Sequence, residues 1–220
     1  MAVAQARRRL QDVAAASGTT LVAALDFDNF FSFDFQSRFE FLFKNLFLHP
    51  FREFPGFRDE RWDPLILKLG SDLPKRPTPY ERGDVENAIC EVHPTIEVVA
   101  GHLIDWPNQD VWSVIADNGT DGALIYGAGC KLWRELDLVQ SQVSLTVNGK
   151  CERTGYGANV LGDPLDALVW LANARSRDGD GLIAGDIHNT GTATDIYWAS
   201  SGDQIVADFQ SLGKVSLRLS

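Results

Sequence analysis

LGDPLDALVWLAN (161–173), GLIAGDIHNTGT (181–192) and SGDQIVADFQSLGKVSLRL (201–219) follow one another almost without interruption, and their reading decides the fold. Asp163 can cap a helix whose first position is Pro164, where a missing N–H removes no intrahelical bond. Leu165, Leu168, Val169 and Ala172 recur at helical spacing, which predicts a helix over 164–174 with one apolar face. Ile205, Ala207 and Phe209 alternate, and after the turn at Leu212-Gly213 so do Val215, Leu217 and Leu219, the pattern of two strands. A helix, a Gly-Asp loop and a closing strand pair make a fragment of a fold, not yet an activity.

Upstream, Val143, Leu145 and Val147 alternate into Asn148-Gly149, a strong type I′ hairpin signal. Strands are expected near 95–100 and 122–127, and a helix near 84–92. Pro50, Pro55, Pro64, Pro74, Pro77 and Pro79 mark an irregular stretch before them, and residues 3–16 suit an amphipathic helix that stops at Ser17-Gly18. Between these lies a compositional break: 12 of the 13 phenylalanines fall within 27–57, and only Phe209 lies elsewhere. Phe31, Phe33 and Phe35 alternate like a strand, whereas Leu42, Leu46 and Phe47 suit a helix face, so neither period persists. Three readings stay open: an aromatic core element or oligomer contact, a segment foreign to the fold, or a ligand-binding aromatic patch. The lack of a single buriable face predicts poor packing across 21–62.

At 220 residues the chain can bury one substantial core. Its formal charge of -10 argues against nucleic acid and anionic membrane surfaces as partners, because the summed field repels phosphates. Cys90, Cys130 and Cys151 are odd in number and form no CxxC, so neither a disulfide framework nor a zinc site is expected. These numbers suit a soluble cytoplasmic enzyme. A weak mitochondrial presequence is the alternative, since Arg7, Arg8 and Arg9 are accompanied by a single acidic residue, Asp12, in the first 25. No apolar run approaches the roughly 20 residues of a membrane-spanning helix.

Chemistry concentrates in two places. Glu97 lies within HPTIEVV (93–99), a carboxylate amid apolar residues. Strand alternation sets it opposite Ile96 and Val98, so it is either solvent-facing or, if buried, paired or metal-bound. The Gly-Asp-Ile-x-x-Thr-Gly stretch at 185–191 is either a simple turn or an anion-binding loop, in which Gly191 permits close approach and the Thr190 hydroxyl and nearby N–H groups face the anion.

Taken together, Pro94 to Val99, Gly101-His102-Leu103-Ile104-Asp105-Trp106, Ile115-Ala116-Asp117-Asn118-Gly119-Thr120, Gly155, Gly157, the LGDP stretch and the 185–191 loop resemble the 2-keto-4-pentenoate hydratase group of the fumarylacetoacetate hydrolase superfamily. The resemblance spans about 65–220. It implies an α+β fold with a mixed, strongly bent β-sheet and flanking helices there, a divergent region over 1–64, and a homo-oligomer.

It further implies a metal-dependent hydro-lyase that adds water to a 2-hydroxy-2,4-dienoate, with Mg2+ or Mn2+ as cofactor and a small anionic 2-oxo acid as substrate. Glu97 would be one of three carboxylate ligands. Asp105 and Asp117 would serve catalysis, while His102, Asn118, Thr190 and Gly191 would hold the substrate. The Asp105-Trp106 pair looks more like the hydratases than the related decarboxylases.

Three departures bear on this. His102 replaces the arginine usual in that group, and a mostly neutral imidazole grips an anion less firmly than a guanidinium. The family's Glu-x-Glu metal pair, counted back from Asp72-Leu73-Pro74, falls on Trp62 and Pro64, which leaves Asp63, or upstream Asp59 and Glu60, as substitutes. No counterpart of the group's active-site lysine is found; the phenylalanine-rich segment occupies its place. A degraded homologue that keeps only the fold is therefore the competing class, alongside a decarboxylase or a C–C hydrolase of 2-oxo acids.

Overall fold

The computed structural model describes residues 20–22, 59–62, 64–99, 108, 110, 113 and 121–219. The helix expected over 3–16, the phenylalanine-rich segment, and Asp63, His102, Asp105, Asp117 and Asn118 lie outside the described residues.

The organising element is a long strand, β5 (Ile89–Val99), whose two halves meet different partners. Its first half pairs with β3 (Pro64–Leu69), and its second half with β2 (Asp59–Trp62) on one side and β6 (Asp121–Tyr126) on the other. Beyond these, β10 (Ile187–Thr192) pairs with β3, β11 (Tyr197–Ala199) with β2, and β1 (Thr20–Val22) with β6. A four-stranded sheet runs β13 (Lys214–Arg218), β12 (Gln204–Asp208), β7 (Gln142–Val147), β8 (Lys150–Tyr156), and β4 (Leu73–Pro74) pairs with β9 (Gly181–Leu182). All of these pairings are antiparallel, and with two α-helices among the described residues the class is α+β, as expected.

One continuous apolar core joins these sheets to the helices; Ile96, Leu145, Leu168, Ile205 and Phe209 are fully buried in it. The closing strands carry the anticipated alternation: Ile205, Ala207, Val215 and Leu217 are buried. The hairpin between β7 and β8 turns on Asn148 (φ 49°) and Gly149 (φ 83°), two successive left-handed residues as a type I′ turn requires.

Helix α1 (Arg82–Ala88) is shorter than the expected 84–92. Ile89, Glu91 and Val92 instead pair with Leu69, Lys68 and Leu67 of β3, so ladder formation with an already buried strand overrides the local helical pattern. The same pairing lengthens the strand expected at 95–100 back to Ile89. Helix α2 (Pro164–Asp178) outruns its predicted end and stops at Gly179. Asp163 caps it, its carboxylate accepting from Leu165 N–H at 2.9 Å. Arg82 joins the two helices by pairing with Glu86, Asp163 and Asp166. From α2, Asn173 accepts from the Tyr80 N–H (2.7 Å) and donates to the Tyr80 carbonyl (3.0 Å), pinning the chain that leads into α1.

The three cysteines are unbridged. Among the described residues no helix is long and apolar enough to cross a membrane.

Candidate metal centre

Glu97 stands near the end of β5, across from Trp62 of β2 on one side and Leu124 of β6 on the other. Alternation along the strand would expose it, yet its side chain is half-buried. Thr95 and Val99, which share its face, are 0% and 2% exposed, so both faces of this strand are covered. A carboxylate in such a place needs a polar partner, and Asn189 is one: its Nδ2 donates to Glu97 Oε2 at 2.6 Å.

Asn189 belongs to β10, two strands away, where it pairs with Ile66, itself paired with His93 of β5. The β10–β3 register shifts between Asn189 and Thr192, so the strand carries one more residue than its partner there. This is a β-bulge, a device that re-aims side chains. Gly191 sits in it at φ 104°, a conformation that favours glycine. The Gly191 N–H donates to Asn189 Oδ1 at 2.9 Å. Thr190 is buried, and its hydroxyl donates to the Leu65 carbonyl at 3.1 Å.

The two donors suggested for an anion, the Thr190 hydroxyl and the Gly191 N–H, are therefore turned to protein acceptors in this structure. Thr190 Oγ1 keeps acceptor capacity. Asn189, which no sequence argument singled out, links Glu97 to this loop. A signal was present: an asparagine side chain accepting from the N–H two residues on is a recurrent turn pattern, and the motif reads Asn-Thr-Gly.

The first half of β5 carries a separate charge cluster. Glu91 meets Lys68 at 3.4 Å, Lys131 at 3.7 Å and His93 Nε2 at 3.5 Å, while His93 Nδ1 donates to the Gly127 carbonyl at 2.9 Å. Partial burial pushes the Glu91 carboxyl up, but the Lys68 hydrogen bond and the charges of Lys68, His93 and Lys131 outweigh it and hold the group below its ordinary value.

Among the described residues no three Asp, Glu, His or Cys side chains converge as a metal cage. Magnesium is commonly held by one or two carboxylates, with water and substrate oxygens completing about six positions. A half-buried, hydrogen-bonded glutamate fits the part of such an anchor. Of the other proposed site residues, Asp63 follows directly on β2, one position beyond the residue opposite Glu97.

Residues 68–220 match the family model described as fumarylacetoacetate (FAA) hydrolase C-terminal. The chain is 34% identical over 148 residues to a 2-keto-4-pentenoate hydratase from Paraburkholderia xenovorans (strain LB400), covering 67% of this chain and 54% of the relative. It is 35% identical over 136 residues to a 4-oxalocrotonate decarboxylase from Pseudomonas putida, covering 62% and 51%. Among solved structures, the 4-oxalocrotonate decarboxylase from Pseudomonas putida G7 complexed with magnesium and adipate superposes with a TM-score of 0.67 at 32% identity, over 74% of this chain and 61% of that one. The chain thus spans about half the length of the curated relatives it matches.

Proposed function

The chain belongs to the fumarylacetoacetate hydrolase family, and on that premise we propose that it is a metal-dependent hydro-lyase adding water to a 2-hydroxy-2,4-dienoate. The product would be a 4-hydroxy-2-oxo acid. The observation that supports this most is Glu97, half-buried and hydrogen-bonded on a sheet strand, in a chain 34% identical to a 2-keto-4-pentenoate hydratase. Residues 65–220 form the catalytic domain in this reading and 1–64 a divergent N-terminal region.

A bound Mg2+ or Mn2+ would act as a Lewis acid toward the 2-oxo and carboxylate oxygens of the substrate. Glu97 holds the cation, and Asp63 is the proposed second protein ligand. Asp105 and Asp117 move the protons: the enol O–H proton is lost, carbon 5 gains a proton, and water then adds across the remaining double bond, its hydroxyl going to carbon 4 and its proton to carbon 3. His102 and Asn118 hold the carboxylate end, while Thr190 and Gly191, whose donors are bonded to the Leu65 carbonyl and to Asn189, shape the loop beside it. A soluble cytoplasmic homo-oligomer completes the proposal.

Loss of the conjugated dienol absorbance, followed with and without EDTA, tests it directly. Turnover that survives chelation would remove the cation from the mechanism. A second reading, decarboxylation of an oxalocrotonate, is supported by the 35% identity and the 0.67 TM-score to the decarboxylases. Release of CO2 from 4-oxalocrotonate without dienoate hydration would favour it. Turnover of neither substrate would favour a homologue that has kept the fold and lost the chemistry.

A further inference from the structure

We propose that Asn189 is a positioning residue for Glu97, locking the carboxylate that holds the cation and tying it to the backbone of the 190–191 bulge; the inference rests on the cation reading above. Both ends of the carboxamide are used. Nδ2 donates to Glu97 Oε2 at 2.6 Å, and Oδ1 accepts from Gly191 N–H at 2.9 Å. The second bond fixes the sense of the first. Turning the amide over would set its NH2 against the Gly191 N–H and its oxygen against a carboxylate oxygen, two repulsive contacts in place of two bonds.

The amide therefore presents a neutral donor, which restrains the Glu97 rotamer and does not itself neutralise the carboxylate. Hydrogen-bond partners of ligating carboxylates act in this way, and losing one weakens metal affinity by about 10–100-fold. The backbone supports the arrangement from the other side, because the Thr190 hydroxyl is bonded to the Leu65 carbonyl of β3 and the bulge at Gly191 sets the angle of Asn189. Glu97 and the loop are 92 residues apart in sequence, and this side chain is a direct link between them.

Calorimetric titration of the full chain with Mn2+ alone, compared with Asn189→Ala, Asn189→Asp and Glu97→Ala, tests the assignment, with melting temperature recorded for each. Asn189→Ala should bind Mn2+ about 10–100-fold more weakly with a melting temperature close to the parent's. Asn189→Asp places a second carboxyl against Glu97, and the pair shares a proton that a cation must displace. Its Mn2+ affinity should therefore climb with pH more steeply than the parent's, by about one extra proton released per ion, a signature that a merely structural residue would not produce. Unchanged affinity in Asn189→Ala, with Glu97→Ala abolishing binding, would overturn the role of Asn189 and leave the cation site standing. Parent-like Mn2+ binding by Glu97→Ala would overturn the cation reading itself. Should Asn189→Ala fail to fold, the pH slope of Asn189→Asp decides, and a slope equal to the parent's rejects the proposal.

Discussion

Trp62 stands directly across from Glu97 in the β2–β5 ladder. Residues so opposed in antiparallel strands hold their Cβ atoms about 4.5–5.5 Å apart, close enough for two carboxylates to share one cation. Position 62 is also where the resemblance set the first member of the Glu-x-Glu pair. Trp62→Glu should therefore tighten Mn2+ binding by an order of magnitude or more, read by the quenching of bulk-water Mn2+ EPR signal. An unchanged dissociation constant would mean that position 62 and Glu97 do not share a metal.

The same ladder separates the substitute carboxylates. Glu60, two positions along β2 from Trp62, pairs with Val99 of β5 and Trp198 of β11, and Asp59, one position further, pairs with Ala199 of β11. Positions two apart in a strand share a face, so Glu60→Gln should weaken Mn2+ binding several-fold and Asp59→Asn should leave it unchanged. The reverse outcome would show a register different from the one described.

Arg82 bonds Glu86 at 2.7 Å and Asp166 at 3.0 Å and also pairs with Asp163, the cap of α2. Such exposed pairs are individually weak, about 0.2–1 kcal/mol each, and gain when they form a network. Arg82→Ala should destabilise by about 1 kcal/mol. Asp163→Ala should cost more, because it also removes a cap bond that contributes about 0.5–2 kcal/mol. Urea unfolding of the singles and the double would reveal the coupling, with the double less destabilised than the sum.

Asp208 gives stability a dependence on acidity. The Lys214 hydrogen bond lowers its carboxyl below the ordinary value, partial burial opposes that, and the Gln210 N–H and the Lys214 charge add to the lowering. The pair closes β12 onto β13 at 2.7 Å. A group with a depressed folded value stabilises fully above its unfolded value, about 3.9, and loses that contribution as pH falls through the folded one. Asp208→Asn should therefore lower the melting temperature at pH 7 by a degree or two and make no difference at the acid end of the range. A deficit that persists at low pH would point to packing instead.

Helix α2, its Asp163 cap, the Asn148-Gly149 turn and the alternation of β12 and β13 were legible because each is decided by neighbours in the chain: spacing, a capping side chain, two residues that tolerate positive φ. The sequence also located Glu97 and the 185–191 loop as chemistry-bearing, and the resemblance they carried matches the family found over residues 68–220. What it could not decide was anything fixed by pairing at long range. Residues 89–92 fit a helix locally but became strand because β3 lay ready to pair with them. Glu97 read as solvent-facing by alternation, yet its strand is covered on both faces. The contact that matters most at the candidate centre, Asn189 to Glu97, depends on a bulge in β10 and on β3 lying between two segments 92 residues apart. No local pattern encodes that distance; only the register of the folded sheet brings the amide and the carboxylate together.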